Sequence, residues 1–276
     1  MHLTFLGTGT SFGVPVIGCS CANCTSTDPR DRRTRHGALL ELRGGNLLID
    51  TPPELRLQLL ASRIDRVDAV WYTHLHADHV HGIDDVRVFS SRGRPPVPAY
   101  LPGELIRPMK ARFPYIFDGR VRVPAGTSKP RITLREYVEG VPLEVLGAEI
   151  TPFRVPHGPV DAFGLRVGPL GYVTDAKRVP AAALAILEGV DVLVLNALWR
   201  GRPHPTHLNV EEAVETAREI GARRTYLTHL THFVGYRELA EWLPPGIRPA
   251  YDGLTVELAA RGQDPPRHSA GDASAY

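Results

Sequence analysis

Several features are scarce in this 276-residue chain, and their scarcity excludes classes of protein. Three cysteines, an odd number close together, cannot build the disulfide framework of a small secreted fold. No apolar run approaches the roughly 20 residues that cross a membrane, so we expect no membrane partner. The chain has 32 Lys and Arg residues and 30 Asp and Glu residues, which gives a net charge of +2. This charge does not indicate the strongly basic surface of an obligate nucleic-acid-binding protein.

The amino terminus also lacks a recognisable export signal. Residues 1–5 contain no basic segment leading into an apolar one, so we expect a soluble cytoplasmic protein. With 43% hydrophobic residues, a chain of this length can bury a substantial core as one α/β domain. We expect a single domain over 1–259 and a mobile tail over 260–276, where glycine, proline, serine and aspartate predominate.

The richest cluster of candidate metal ligands is the segment THLHADH at residues 73–79, which follows an apolar run typical of a buried strand. His74 and His76 are two residues apart, so in an extended segment their side chains leave one face and can bind one ion. Asp78 and His79 begin the next element and point to a second position. Imidazole and carboxylate suit zinc, iron or manganese, so the segment predicts two metal ions.

Three later strands each end in a further candidate ligand. The strands are predicted over 149–156, 171–174 and 224–228, and the residues that follow them are His157, Asp175 and His229. Any one of these residues alone is more often a satisfied turn residue than a ligand. Together with the first cluster they give seven ligands for two ions, placed where a layered α/β fold carries its site.

The three cysteines, Cys19, Cys21 and Cys24, form a second cluster. In a reducing compartment, clustered thiols indicate a metal rather than disulfides. A closed structural zinc site takes four ligands, so one more must come from elsewhere in the chain. Histidines outside the first cluster are candidates, and three incidental thiols remain the alternative.

The rest of the pattern alternates strands with helices. A hairpin is predicted over 38–42 and 46–49, and a helix over 53–62. A second helix is predicted over 210–220, where a capping box precedes a periodic apolar stripe. The proline-containing region 92–135 is predicted to be irregular and to form loops over a site.

The motif His74-x-His76-x-Asp78-His79, followed in order by His157, Asp175 and His229, resembles the metallo-β-lactamase superfamily. The resemblance implies an α/β fold, the four-layered αβ/βα metallo-β-lactamase sandwich, with the metals at the sheet edge. It implies one metal held by His74, His76 and His157, and another held by Asp78, His79 and His229, with Asp175 bridging. Asp50 resembles the acidic residue that ends an early strand and supports a ligand histidine in these proteins.

The cysteine loop at 19–24 extends the resemblance to one branch of this superfamily. The segments 6–9, 13–15 and 18–24 resemble the start of PhnP-type proteins, the cyclic phosphodiesterases of phosphonate breakdown. In those proteins three cysteines and a histidine hold a structural zinc, and His232 is the matching histidine here. The resemblance therefore implies one structural zinc and two catalytic divalent metals, zinc or manganese, with iron as a further option.

Two close cations predict a dinuclear hydrolase, with Asp78 in its catalytic centre. Water bridging them becomes a hydroxide nucleophile, and both cations stabilise charge on a phosphoryl oxygen. His204 and His207 are candidate proton donors to the leaving group. We prefer His207, because residues 207–213 resemble the histidine-led helix start of tRNase Z, in which that histidine is implicated as the donor. A helix amino terminus lowers the pKa of a nearby imidazole, which makes either histidine a weaker resting acid. His204 as the donor, or a structural role for His207, therefore stays open.

The resemblance favours a phosphodiesterase acting on a ribose cyclic phosphate or a dinucleotide. A nucleic-acid substrate stays open but is not favoured, because no long insertion like the tRNA-gripping arm of tRNase Z is present. The alternatives are a thioesterase or lactonase with the same two metals, a tRNA 3′-processing endonuclease, and a non-enzymatic metal-dependent binding protein. A homodimer is also left open.

Overall fold

The structure is a computed structural model that describes residues 1–91, 93–122, 124 and 126–258. The predicted tail at 260–276 lies outside these residues. In chain order, the strands are β1 (His2–Gly7), β2 (Gly37–Leu42), β3 (Gly45–Ile49), β4 (Ala69–Trp71), β5 (Val97–Pro102), β6 (Ile132–Tyr137), β7 (Leu143–Val145), β8 (Ala148–His157), β9 (Val160–Val167), β10 (Leu170–Val173), β11 (Val192–Asn196), β12 (Arg224–Thr228), β13 (Ile247–Pro249) and β14 (Thr255–Glu257). The helices are α1 (Leu55–Ala61), α2 (Ala77–Val80), α3 (Arg87–Ser90), α4 (Gly103–Arg112), α5 (Pro114–Phe117), α6 (Ala181–Leu187), α7 (Val210–Ile220) and α8 (Tyr236–Trp242).

The strands form two mixed sheets. The first has the order β14-β1-β2-β3-β4-β5-β6, and the second has the order β13-β12-β11-β10-β9-β8-β7. In the first sheet β3 to β6 run parallel, and in the second β10 to β13 do so, whereas the remaining pairs are antiparallel. The loops after the parallel strands therefore leave each sheet at one edge, where α/β folds carry their sites.

Three apolar clusters separate four layers. Side chains of both sheets, such as Leu40 and Val194, meet in the central cluster. The outer face of the first sheet packs against α1 to α5 through residues such as Leu39, and that of the second packs against α6 to α8 through Leu195. Leu39 and Leu40 thus point to opposite faces of β2, and both are fully buried because both faces are covered. The predicted αβ/βα sandwich is confirmed.

Local sequence signals account for several elements. The predicted hairpin is confirmed as β2 and β3, although Gly45 belongs to β3 and pairs with Leu42, so that the turn consists of Arg43 and Gly44. Helix α7 begins at the capping box, in which the Asn209 side chain accepts from the Glu212 amide and the Glu212 carboxylate accepts from the Asn209 amide. It ends at Gly221, whose φ of 72° is the left-handed conformation that glycine adopts readily. Helix α1 is shorter than the predicted 53–62, because residues before Leu55 form a turn.

The prediction of an irregular region over 92–135 is wrong for much of its length. Strand β5 pairs with both β4 and β6 in parallel, although it contains Pro98 and Pro102. Helix α4 follows directly and contains Pro108. Proline lowers the local preference for both kinds of element, but burial of β5 between two strands outweighs this preference. Among the described residues, no helix has the length and apolar character needed to span a bilayer.

Candidate metal centre

The site lies where strands of both sheets end, and the backbone turns sharply there. Asp50 follows β3, Asp175 follows β10 after one intervening residue, and His229 follows β12. All three adopt positive φ, at 61°, 57° and 59° respectively. This left-handed conformation is uncommon for residues other than glycine, and its occurrence at three strand ends marks a functional site.

Asp175 is the central residue of the site. Its Oδ2 lies 3.7 Å from Nε2 of His74, 3.5 Å from Nε2 of His79 and 3.6 Å from Nε2 of His157. Its Oδ1 lies 3.4 Å from Nε2 of His229. These separations exceed direct hydrogen bonds but suit ligand atoms around shared cations.

The seven ligands predicted from the sequence come together in two adjoining groups. Ligand atoms within 4.8 Å of one another belong to His74, His76, His157 and Asp175 in one group, and to Asp78, His79 and His229 in the other. The loop between β4 and α2, together with α2, supplies four of them, and the ends of β8, β10 and β12 supply the rest. All are buried except His76, which is exposed.

Outer hydrogen bonds orient three of the histidines. The Nδ1 atom of His79 lies 2.6 Å from Asp50 Oδ2, and that of His157 lies 3.1 Å from the Thr206 carbonyl oxygen. The Nδ1 atom of His74 lies 3.1 Å from Thr73 Oγ1. Each contact leaves Nε2 free to face the centre, which is how proteins fix metal-binding imidazoles.

The inward nitrogens have the character of metal ligands. In the described part of the chain, Nε2 of His74, His79 and His229 is buried and has no hydrogen-bond partner. Nε2 of His157 lies only 3.1 Å from Nδ1 of His76. Buried polar atoms are normally paired, so a convergent set of unpaired nitrogens beside a carboxylate fits divalent cations between them.

Electrostatics supports the same interpretation. Burial opposes charge on Asp175, but His229 and His79 hold its pKa well below the ordinary value. Burial lowers the pKa of His74 well below its usual range, so this imidazole is neutral. Although burial opposes protonation of His79, the carboxylates of Asp175 and Asp78 raise its pKa well above the ordinary value. Asp175 and His74 are thus in the ionised and neutral forms that bind metal, whereas a cation at His79 would replace the proton that the carboxylates stabilise there.

The three cysteines converge on one imidazole nitrogen. The Sγ atoms of Cys19, Cys21 and Cys24 lie 3.4, 3.4 and 3.5 Å from Nδ1 of His232. Tetrahedral zinc with Zn–S near 2.3 Å and Zn–N near 2.0 Å would place its sulfur and nitrogen ligands about 3.5 Å apart. Asn23 donates to the His232 carbonyl at 2.8 Å and helps to position it. The four residues therefore match the edges of a closed zinc tetrahedron.

The two candidate proton donors lie at different depths. Nε2 of His207 is 3.3 Å from Asp175 Oδ2, and its Nδ1 is 2.8 Å from Thr206 Oγ1. His204 lies one step further out, with its Nδ1 3.4 Å from Nδ1 of His207 and its ring 5.3 Å from Trp199. Burial lowers the pKa of both imidazoles, and Asp175 opposes this for His207.

Some residues at the site were not predicted from the sequence. His36 is fully buried, with Nε2 2.6 Å from the Tyr172 hydroxyl and Nδ1 3.1 Å from Thr228 Oγ1. Its ring lies 5.8 Å from that of His79 and 5.9 Å from that of His229, so it packs beneath the ligands. Because His36 stands alone before β2, with no candidate ligand at a characteristic spacing, the sequence does not indicate its place at the site.

An apolar cavity opens beside the centre. It has a volume of about 380 Å³, and its wall includes His229 and His207 together with Phe12, Trp199 and Phe233. The aromatic residues come from three separate segments, and nothing in the sequence indicates that they meet.

Comparison with known proteins agrees with this fold. Residues 45–230 match the family model described as beta-lactamase superfamily domain. The crystal structure of a diphosphatase from the PhnP family is 40% identical with a TM-score of 0.85, and the match covers 94% of this chain and 98% of that one. A ribonuclease Z from a Mycobacterium species is 27% identical over 267 residues, 88% of each chain.

A Porphyromonas gingivalis protein named octanoyltransferase is 35% identical over 264 residues. The match covers 95% of this chain but 52% of that protein, so the chain spans about half the length of this relative.

The sandwich and its clustered ligands define a metal-binding hydrolase fold. The chain belongs to the metallo-β-lactamase superfamily, and its similarity along nearly the whole chain places it with the PhnP family. It is a hydrolase of the metallo-β-lactamase fold, related to the PhnP-family diphosphatase and to ribonuclease Z.

Proposed function

We propose that this protein is a dinuclear metal-dependent phosphodiesterase that cleaves small diesters or diphosphates. The observation that carries the proposal is the position of Asp175, whose two carboxylate oxygens lie within 3.7 Å of ligand nitrogens from both groups. One carboxylate facing two sets of ligands is the arrangement of a two-metal site. The 40% identity to a PhnP-family diphosphatase supports cleavage of a phosphate linkage.

The described side chains would hold two divalent ions. His74, His76 and His157 would hold one ion, Asp78, His79 and His229 would hold the other, and Asp175 would contact both. The nitrogen and oxygen donors suit zinc or manganese, with iron as a further option. When bound, such ions supply a nucleophile from water at neutral pH and stabilise the negative charge that develops on a phosphoryl oxygen.

The protein's own groups would complete the reaction. Asp50 holds the ring of His79, and Thr206 holds those of His157 and His207, so the ligand geometry is fixed before substrate binds. His207 is the proposed proton donor to the leaving alkoxide, because its Nε2 reaches Asp175 whereas His204 lies further out. Burial lowers its pKa, so a smaller share of His207 carries the proton in the resting protein, and the contact with Asp175 opposes this loss.

We assign a structural zinc to the cysteine site. Three thiols around one imidazole nitrogen complete a four-ligand set, which leaves no position for substrate. The three cysteines are free thiols, as a zinc site and a reducing compartment such as the cytoplasm require. Because His229 and His232 lie three residues apart, this zinc would also fix the segment that carries an active-site ligand.

Small substrates suit the site better than tRNA does. The cavity beside the centre, at about 380 Å³, is in the roughly 300–1,000 Å³ range of small-molecule sites. The test is a hydrolysis panel with metal-replete protein: a cyclic ribose phosphate, a dinucleotide, a nucleoside diphosphate ester, a phosphomonoester and a pre-tRNA. We expect turnover of the diesters or diphosphate esters and no turnover of the phosphomonoester. Cleavage of pre-tRNA in preference to the small substrates would contradict the assignment.

A second candidate is hydrolysis of an acyl thioester. The relative named octanoyltransferase favours it, although this chain spans only about half of that protein. The same two metals would activate water toward a carbonyl carbon. Turnover of octanoyl thioesters without any cleavage of phosphate esters would replace the phosphodiesterase proposal with this one.

A further inference from the structure

The wall of the cavity beside the metal centre combines two kinds of side chain. His204, His207 and His229 contribute imidazoles, and Phe12, Trp199 and Phe233 contribute aromatic rings. Among the described residues that line it, none is acidic. A ligand that carries both an anionic group and an apolar group therefore meets no carboxylate in this lining.

The aromatic side chains are unusually exposed for their size. Phe12 is 73% exposed and Phe233 is 60% exposed, although both line a concave site. Phe233 lies edge-on to Trp199, with ring centroids 5.8 Å apart and an interplanar angle of 80°. Exposed aromatic surface in a cavity next to a reactive centre is typical of a ligand subsite, since a bound ring would cover it.

The cysteine site holds the segments that carry these walls. Val16, four residues after Phe12, donates its amide to Cys24 Sγ at 3.3 Å. Phe233 follows the fourth ligand of that site, His232, and the two rings lie 4.2 Å apart. The four sulfur and nitrogen ligands thus tie together two segments that are more than 200 residues apart in sequence. Phe12 and Phe233 therefore both lie on segments that the cysteine site connects.

From these contacts, and resting on the diester hydrolysis proposed above, we infer that Phe12, Trp199 and Phe233 form a subsite for the nucleobase of a nucleotide substrate. The base would stack on the aromatic surface while its phosphate lies toward the histidines. Stacking of one base on an aromatic side chain strengthens binding about tenfold to a hundredfold. The Arg202 guanidinium already lies over the Trp199 ring, 5.3 Å from its centroid, so the base would stack on Phe12 and Phe233 while Trp199 forms the wall beside it. An aliphatic chain could fill the same volume but would gain no stacking on these two rings.

The test compares AMP with ribose 5-phosphate, which lacks only the base, by titration calorimetry on metal-replete protein. We expect AMP to bind at least about tenfold more tightly. In Phe233→Leu and Phe12→Leu, which keep apolar bulk but lose the ring, this ratio should fall toward one. Phe233→Tyr, which keeps the ring, should retain it, as should Leu57→Ala, which removes an equally exposed apolar side chain from helix α1.

Equal affinity for the two phosphates, or no measurable binding of either, would overturn the nucleobase subsite, as would octanoate binding more tightly than AMP. Because this readout is binding, it is separate from the test of the reaction. If AMP is preferred but no phosphate ester is cleaved, the subsite stands and the proposed hydrolysis fails. If esters with and without a base are cleaved equally well and bind equally, the proposed hydrolysis stands and the nucleobase subsite fails.

Discussion

The carboxylate of Asp50 lies 2.6 Å from Nδ1 of His79 and accepts two further hydrogen bonds from the amide and hydroxyl of Thr73. This buried carboxylate fixes the ring whose other nitrogen faces Asp175. We expect Asp50→Ala to weaken binding of the second metal about tenfold to a hundredfold, because the ring loses its orientation and its basicity. Competition with a chelator measures the change. Asp118→Asn, which removes an ion pair with Arg120, is the control, and an equal effect in both would contradict this role.

Replacing His207 should have an effect that depends on the leaving group. A poor leaving group needs a proton, so His207→Ala should lower kcat for a methyl diester about 10²- to 10⁴-fold. For a nitrophenyl diester, whose leaving group departs without protonation, the loss should be less than about tenfold. Equal losses on both substrates would show that His207 positions the site instead of donating a proton, and a larger loss in His204→Ala would transfer the role to His204.

The cysteine site should contribute stability that depends on zinc. At free zinc about 100 times the dissociation constant, a filled site stabilises the folded state by about 2.7 kcal/mol. We expect Cys24→Ala to bind one zinc fewer per chain and to lose this zinc-dependent part of its free energy of unfolding. Denaturant unfolding with and without zinc, together with metal analysis, checks both points. Wild-type zinc content in Cys24→Ala would contradict the assignment.

Asp252 joins the two ends of the segment that connects β1 to β2. Its carboxylate accepts from the amide and hydroxyl of Thr8 at 2.8 and 2.7 Å, and from those of Thr34 at 2.7 and 2.6 Å. Asp252→Ala leaves these donors without their acceptor, so we expect the free energy of unfolding to fall by about 2 kcal/mol. Glu257→Ala, at an exposed position in β14, should change it by less than about 0.5 kcal/mol. A loss in Asp252→Ala no larger than in this control would show that the four bonds are not needed.

Much of the fold and the arrangement of the site could be predicted because the ligands follow strands. A buried strand gives a clear apolar pattern, and a histidine or aspartate at its end stands out, as His157, Asp175 and His229 do. Asp175 and His229 meet at one sheet edge because β10 and β12 run parallel, and His157 joins them because the two antiparallel pairings through β9 give β8 the same direction as β10.

The remaining features depend on tertiary packing. Strand β5 contains two prolines, so its local pattern resembles a loop until its neighbours on both sides are known. Phe12 and Phe233 line the same cavity although most of the sequence separates them, and no periodic pattern in the sequence predicts that they come together. His36 is isolated in sequence, and only the buried hydrogen bonds to Tyr172 and Thr228 reveal its place.

Metal titration of stripped protein shows whether Asp175 lies between two catalytic ions. Manganese or zinc would be added stepwise to protein that holds only its structural zinc, while diester turnover and bound metal are followed together. A two-metal site around Asp175 predicts that turnover rises as two further ions bind per chain, and that Asp175→Ala abolishes it. Full diester turnover in the protein before any metal is added, or its absence when both sites are filled, would rule out a two-metal phosphodiesterase.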